Sequence, residues 1–159
     1  MIFGMMSNEE NLLKEPITEL EFIKKLIPHR EPMVMVDALV SYSPLKAISE
    51  LTIQDTNSFV EDGHFSETGL IEHMAQTAAL YTGYKFYLEK LPVKEGFIGS
   101  VKSLNIWRLP KINDTITTEV QITYEVANMT VVKLITSHEG KMIAEAEMNT
   151  VLKESSAYE

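Results

Sequence analysis

The sequence contains no cysteine. That removes disulfides, thiolate metal ligands and a cysteine nucleophile together, leaving carboxylates, imidazoles, hydroxyls and backbone amides as the chemical tools. The absence suits a reducing compartment, and a cytoplasmic protein is expected. Positive charge is scarce as well: 14 Lys and Arg stand against 23 Asp and Glu, for a formal net charge of −9. A nucleic-acid surface needs a concentrated basic face, which cations spread this thinly do not supply, so no nucleic-acid partner is expected. No apolar run reaches the length of a membrane span. Residues 1–6 are apolar, but they lack a basic start and run at once into Ser7-Asn8-Glu9-Glu10, so no signal sequence is read there. Internal repeats and low-complexity stretches are also missing. The four histidines, His29, His64, His73 and His138, are too dispersed for metal-ligand spacing, and no metal is expected.

What is present is 159 residues with an ordinary apolar fraction of 45%, enough for one domain with a full core. Residues 1–15 read as a flexible tail, 16–153 as the domain and 154–159 as a second tail. Thr18 and Glu21 have capping-box spacing ahead of apolar residues at helical intervals, which predicts a helix over about 18–27. Pro28 ends it, and Pro32 keeps Glu31 extended, so His29 and Arg30 sit on a bend, read as a brace for the next strand at least as well as an anion site. Residues 33–40 and 47–53 read as a hairpin around Ser43-Pro44. A polar loop from 54 to 68 leads to a helix over about 69–89, about 30 Å long. Four strands then meander, over 96–107, 115–126, 130–138 and 142–152. With one long helix and no second to cover it, the fold class is α+β, an antiparallel sheet wrapped around one central helix. Ala75, Ala78, Ala79 and Gly83 would permit close wrapping. Met33, Met35, Met74 and Met148 suit a core or a channel wall alike.

Two titratable groups, His64 and Glu72, flank the start of that helix. The free N–H groups and positive dipole end there can hold a carbonyl oxygen that becomes negative during reaction. A base beside that carbonyl and an acid for a departing hydroxyl are the minimum needed to eliminate water from a 3-hydroxyacyl thioester. His73 should point about 100° away from Glu72 and is read as a packing or interface residue. Gln76 shares the face of Glu72 and can hydrogen-bond to it. His138 reads as a solvent-exposed turn residue.

Pro28-His29-Arg30 with Pro32 and Val36-Asp37, Asn57 to Gly63-His64-Phe65, Ile71-Glu72 with Met74-Ala75-Gln76, Phe97-Ile98-Gly99 with Lys102, and Ala144-Glu145-Ala146-Glu147-Met148 occur in one order. In these motifs the chain resembles the 3-hydroxyacyl-acyl carrier protein dehydratases of the hotdog superfamily over residues 20–153. The resemblance implies the hotdog fold and a lyase of fatty acid or polyene-type biosynthesis. It implies His64 and Glu72 as catalytic residues, each site joining the His of one subunit to the carboxylate of the other. It also implies substrate contacts at Gly69, Phe65 and Gln76, with Gly69 as the candidate amide for the thioester oxygen. No cofactor is implied, the substrate riding on phosphopantetheine. The loop between His64 and the helix is shorter than the family's usual one, and with Gly99-Ser100-Val101-Lys102 and Arg108 it is similar to the dehydratase-like proteins of aryl polyene pigment clusters. The implied partner is an acyl carrier protein, met by Lys102, Arg108 and Lys111. A homodimer through joined sheet edges is expected; a higher oligomer and a hetero-dimer with a related hotdog chain stay open. So do two other functions on the same fold, an acyl thioesterase in which Glu72 activates water, and a non-catalytic carrier-binding subunit.

Overall fold

The computed structural model describes residues 10–153; of the tails expected at 1–15 and 154–159, residues 1–9 and 154–159 lie outside them. The elements are α1 (Leu20–Leu26), β1 (Ala38–Ser43), β2 (Lys46–Thr52), β3 (Val60–Glu61), β4 (His64–Phe65), α2 (Glu67–Leu88), β5 (Gly96–Ile106), β6 (Thr115–Val126), β7 (Met129–His138) and β8 (Lys141–Leu152). Six strands form one antiparallel sheet in the order β1-β2-β6-β7-β8-β5, curled around α2, the hotdog arrangement expected.

Helix α2 starts at a Ser66 cap whose hydroxyl accepts from the Gly69 N–H, two residues before the start expected from periodicity. It ends in a reversal with Lys90 at φ 59°, where the N–H of Leu91 donates to Phe86 O and that of Lys90 to Tyr87 O. Over 22 residues it spans about 33 Å. Leu70, Met74 and Leu80 are fully buried against the sheet, joined by Leu134, Ala146 and Met148. Inside this apolar contact Thr77 hydrogen-bonds to Ser49 on β2 (2.6 Å) and to its own helix at His73 O (2.8 Å).

Several boundaries differ from those read in the sequence. The strand expected over 33–40 begins only at Ala38, because side chains of α2 take the backbone groups a neighbouring strand would have used. The Gln76 amide donates to Met33 O and accepts from the Met35 N–H, and His73 Nδ1–H donates to Met35 O, each at 2.7 Å. Residues 11–17 are docked rather than loose. Ile17 and Leu39 exchange backbone bonds of 2.8 and 2.9 Å, and Leu12 N–H donates to Tyr42 O, covering the outer edge of β1. The capping box before α1 does not form: its N-cap is Glu19, without a side-chain bond, and Glu21 turns to Lys24 at 3.3 Å. The final four strands do not meander in succession, since β2 holds one side of β6 in an unbroken seven-pair register and β5 crosses to pair with β8 at the far edge. Met33 is 42% exposed, unlike the buried Met35, Met74 and Met148.

The small residues of α2 serve two contacts. Ala75, Ala78 and Ala79 line a space between the helix and strands β5 and β8, and Ala78 is also part of the buried core. Gly83 faces α1, where a Cβ would stand 2.0 Å from Leu26 O. Alanine here would gain about 1 kcal/mol of helix propensity, but the clash is with backbone and can be relieved only by moving α1 off α2. Gly83→Ala is expected to destabilise the protein by about 1–3 kcal/mol net, measured as a lower urea midpoint. An unchanged midpoint would show that α1 yields freely.

Candidate functional site

His64 does not lie in an irregular loop. Asp62 (φ 52°) and Gly63 (φ 76°) form a two-residue reversal of the mirror-image type, and this pairs β3 with β4. The hairpin is pinned to the chain after β5 by Phe65 N–H donating to Pro110 O (2.8 Å) and by a bridge between His64 and Lys111. The His64 ring lies 3.0 Å from Asp62 O through Nδ1. A carbonyl only accepts, so Nδ1 carries a proton, and in the neutral ring the lone pair is then on Nε2, the tautomer a general base needs. His64 lines an open cleft with Arg108 and Lys111.

Glu72 lines a different cavity of about 270 Å³. Its walls are the end of α1 and the following bend (Leu26, Pro28, His29), the α2 stripe Glu72, Ala75, Ala79 and Thr82, the start of β5 (Gly96, Phe97, Ile98) and the end of β8. The missing side-chain bulk of the alanines is what leaves this mostly apolar space open. Glu72 Oε1 accepts from Gln76 Nε2 at 2.9 Å and lies 3.6 Å from His29 Nε2. His29 was read as a brace for the next strand; the structure places it at the carboxylate. A basic residue next to a helix-breaking proline carries no periodic signal, so only its place in the Pro28-His29-Arg30 motif pointed to it. Arg30 fixes the bend by donating to Ile27 O and His29 O. Burial holds the His29 imidazole below its ordinary range, Glu72 partly opposing this and Arg30 adding to it.

The remaining candidates separate. Gln76 is fully buried and links Glu72 to the backbone of Met33 and Met35, so it holds the carboxylate rather than facing the cavity. Phe65 is also fully buried, with its ring against Gly69, and it lines neither cavity. The Gly69 N–H is occupied by Ser66 Oγ at 3.2 Å. The open amides of the helix start are therefore those of Glu67 and Thr68, which precede the first intrahelical acceptor. Lys102 is exposed on β5 and lines neither cavity, unlike Arg108 and Lys111. His138 is largely covered rather than exposed, with 11% of its side chain accessible, because it donates to Thr115 O (3.0 Å) across the ladder beside Asp114. No three His, Cys, Asp or Glu side chains among the described residues gather as metal ligands. No helix among them is long and apolar enough to cross a membrane.

A family model described as ApeP-like, ApeP dehydratase, matches residues 21–158. The chain belongs to the ApeP-like dehydratase family. It is 26% identical over 149 residues to a 3-hydroxyacyl-acyl-carrier-protein dehydratase FabZ of Anaeromyxobacter sp. (strain K), covering 90% of this chain and 96% of that one. It is 29% identical over 140 residues to the protein of the same name from Latilactobacillus sakei, covering 82% and 96%. In fold it matches a chain of the dehydratase heterocomplex ApeI:P from Xenorhabdus doucetiae with a TM-score of 0.79, over 84% of this chain and 91% of that chain, at 16% identity. The ApeP-like match spans both cavities, including His64, Glu72 and His29.

His73, beside Glu72 in sequence, is a core residue of this ApeP-like chain. It is fully buried; Nδ1–H is spent on Met35 O, and Nε2 has no partner. A second proton would place an N–H where nothing accepts it, and burial pushes the imidazole down to about 4. The unfolded chain binds that proton near pH 6.5 and the native chain only near 4, so the stabilisation is complete above pH 6.5 and is lost on acidification. Between pH 7 and 5 this one group is expected to cost about 2 kcal/mol of stability. His73→Asn, which keeps a donor for Met35 O, should flatten the urea midpoint against pH over that range. An unchanged slope would place the titrating group elsewhere.

Proposed function

We propose that this protein is a cytoplasmic dehydratase that converts a 3-hydroxyacyl group on an acyl carrier protein to the 2-enoyl thioester, in fatty acid or polyene-type biosynthesis, at sites shared between two subunits. The observation that carries the shared site is the geometry of β5. This strand is 11 residues long, forms one edge of the sheet, and among the described residues pairs only with β8. Phe97, Ile98 and Val101 on it are each at least 40% exposed, a bare apolar edge that a second copy would cover. The Glu72 cavity opens at the first residues of β5, while the His64 cleft lies just past its last. Antiparallel pairing of two β5 strands about a two-fold axis puts the end of one beside the start of the other. It therefore carries His64 of one subunit toward Glu72 of its partner.

In that arrangement His64 Nε2 takes a proton from C2, and the electron pair is delocalised onto the thioester oxygen beside the amides of Glu67 and Thr68. The pair then forms the C2–C3 double bond as the C3–O bond breaks. The partner's carboxyl group, Glu72 in the same sequence, protonates the leaving hydroxyl, so that water departs. Neither step calls for a cofactor, and phosphopantetheine belongs to the carrier. The acyl chain would lie along the alanine stripe toward Thr82.

His64→Ala and Glu72→Gln should each lower kcat by about 10²–10⁴. Unfolded and refolded together, the two inactive proteins should recover about a quarter of wild-type activity, because half of randomly formed dimers are mixed and each then carries one intact site of two. No recovery would mean a site within one subunit, and free acid in place of enoyl product would mean hydrolysis. The cleft beside His64 also carries the cations best placed for an acidic carrier. Reversing Arg108 and Lys111 to Glu should raise KM for the carrier-bound substrate about tenfold at low salt, and less at high salt, while sparing a short pantetheine thioester. Equal losses on both substrates would assign these residues to the pocket.

A further inference from the structure

The two oxygens of Glu72 are not equivalent. Oε1 accepts from Gln76 at 2.9 Å and has His29 Nε2 at 3.6 Å, whereas Oε2 has no hydrogen-bond partner among the described residues. Gln76 is locked by two further bonds to the backbone of Met33 and Met35. His29 is locked differently. It stands on the bend between Pro28 and Arg30, and the Arg30 guanidinium donates back to the carbonyls that flank Pro28, at Ile27 and His29. Its Nδ1 is buried without a partner, so the ring gains no bond from its other nitrogen and Nε2 is the one aimed at a polar group. A distance of 3.6 Å is too long for a formed hydrogen bond, and a closed site would shorten it.

We propose that His29 is a positioning residue for Glu72: together with Gln76 it holds Oε1 from two sides and so turns Oε2 toward the substrate hydroxyl. This rests on Glu72 acting in the reaction as proposed above. With Gln76 alone the carboxylate could rotate about its last torsion, which has a broad preference, and the second oxygen would lose its aim. The neutral imidazole supplies a directional N–H without a full charge at the cavity wall. Misplacing a reacting group by about 1 Å costs about 10²-fold in rate, so a residue that never touches the substrate can carry an effect of this size.

Three substitutions separate the positions of the two nitrogens. His29→Gln puts an N–H donor where Nε2 stands, His29→Asn puts one where the unpartnered Nδ1 stands, and His29→Ala removes both. We expect His29→Ala and His29→Asn to lower kcat about ten- to a hundredfold with KM changed less than about twofold, and His29→Gln to recover most of kcat. In a Glu72→Gln background His29→Ala should lower activity no further, because the group it acts through is gone. A kcat near wild type in His29→Asn, equal losses in Gln and Asn, or additive losses in the double variant would each overturn the assignment. The Gln and Asn comparison decides even if His29→Ala fails to fold, since both keep the size and polarity of the site. Full activity of Glu72→Gln by itself would instead remove the catalytic reading of Glu72, and the positioning role with it.

Discussion

The placement of residues 33–35 by two side chains of α2 is the constraint on which the rest of the structure depends. Gln76 and His73, both fully buried, hold Met33 and Met35 through three bonds of 2.7 Å. Each is a polar group that would be costly to bury unpaired, and each backbone group it meets would otherwise need a strand. The exchange settles where β1 begins, and it fixes the far side of the bend that carries His29. It also ties Glu72 to the fold, because the amide that holds Met33 O donates to the carboxylate as well. Site and core thus share one hydrogen-bonded unit, and apolar packing of Leu70, Met74 and Leu80 around it sets the depth of the helix.

Around that unit the protomer is organised so that its chemical groups look outward in two directions. The β3–β4 hairpin delivers an imidazole in its basic tautomer on one side of the helix start, and α2 delivers a carboxylate into a mostly apolar cavity on the other. Neither group alone completes an elimination, and in one protomer they border different spaces. The exposed edge of β5 runs between those spaces, its first residues at the Glu72 cavity and its last just before the His64 cleft. The cavity itself is made by omission: alanines at 75, 78 and 79 withhold the side chains that would have filled it.

Periodicity made the long helix and all four of the last strands legible in the sequence, with β6 matching residue for residue. The order of strands was not legible, because alternation reports which face is buried and says nothing about which neighbour is chosen; β5 at the far edge is the instance. Residues 33–40 misled for a related reason, since an apolar β-branched run prefers extended backbone whether its partner is a strand or a helix side chain. Thr18 and Glu21 had the spacing of a cap, but Glu21 found Lys24 instead. At the site, His64 and Glu72 were marked by motif, and the structure adds the tautomer of one and the unequal oxygens of the other. His29 stood in a separate motif, Pro28-His29-Arg30, and its tie to Glu72 was not legible, because it spans 43 positions and exists only in three dimensions. Phe65 follows His64 in the same motif, and because a strand sends neighbours to opposite faces its side chain goes to the core while the imidazole borders the cleft.

The reversal at Asp62-Gly63 carries one more implication. At Gly63 a Cβ would meet nothing within 4 Å, yet φ is 76°, so the position demands a handedness and no particular size. Any L side chain is disfavoured there although there is room for many, whereas a D-residue introduced by chemical synthesis would sit without strain. The address of the His64 imidazole is thus written in the chirality of a neighbour whose side-chain position touches nothing, a form of information that side-chain volume would not reveal.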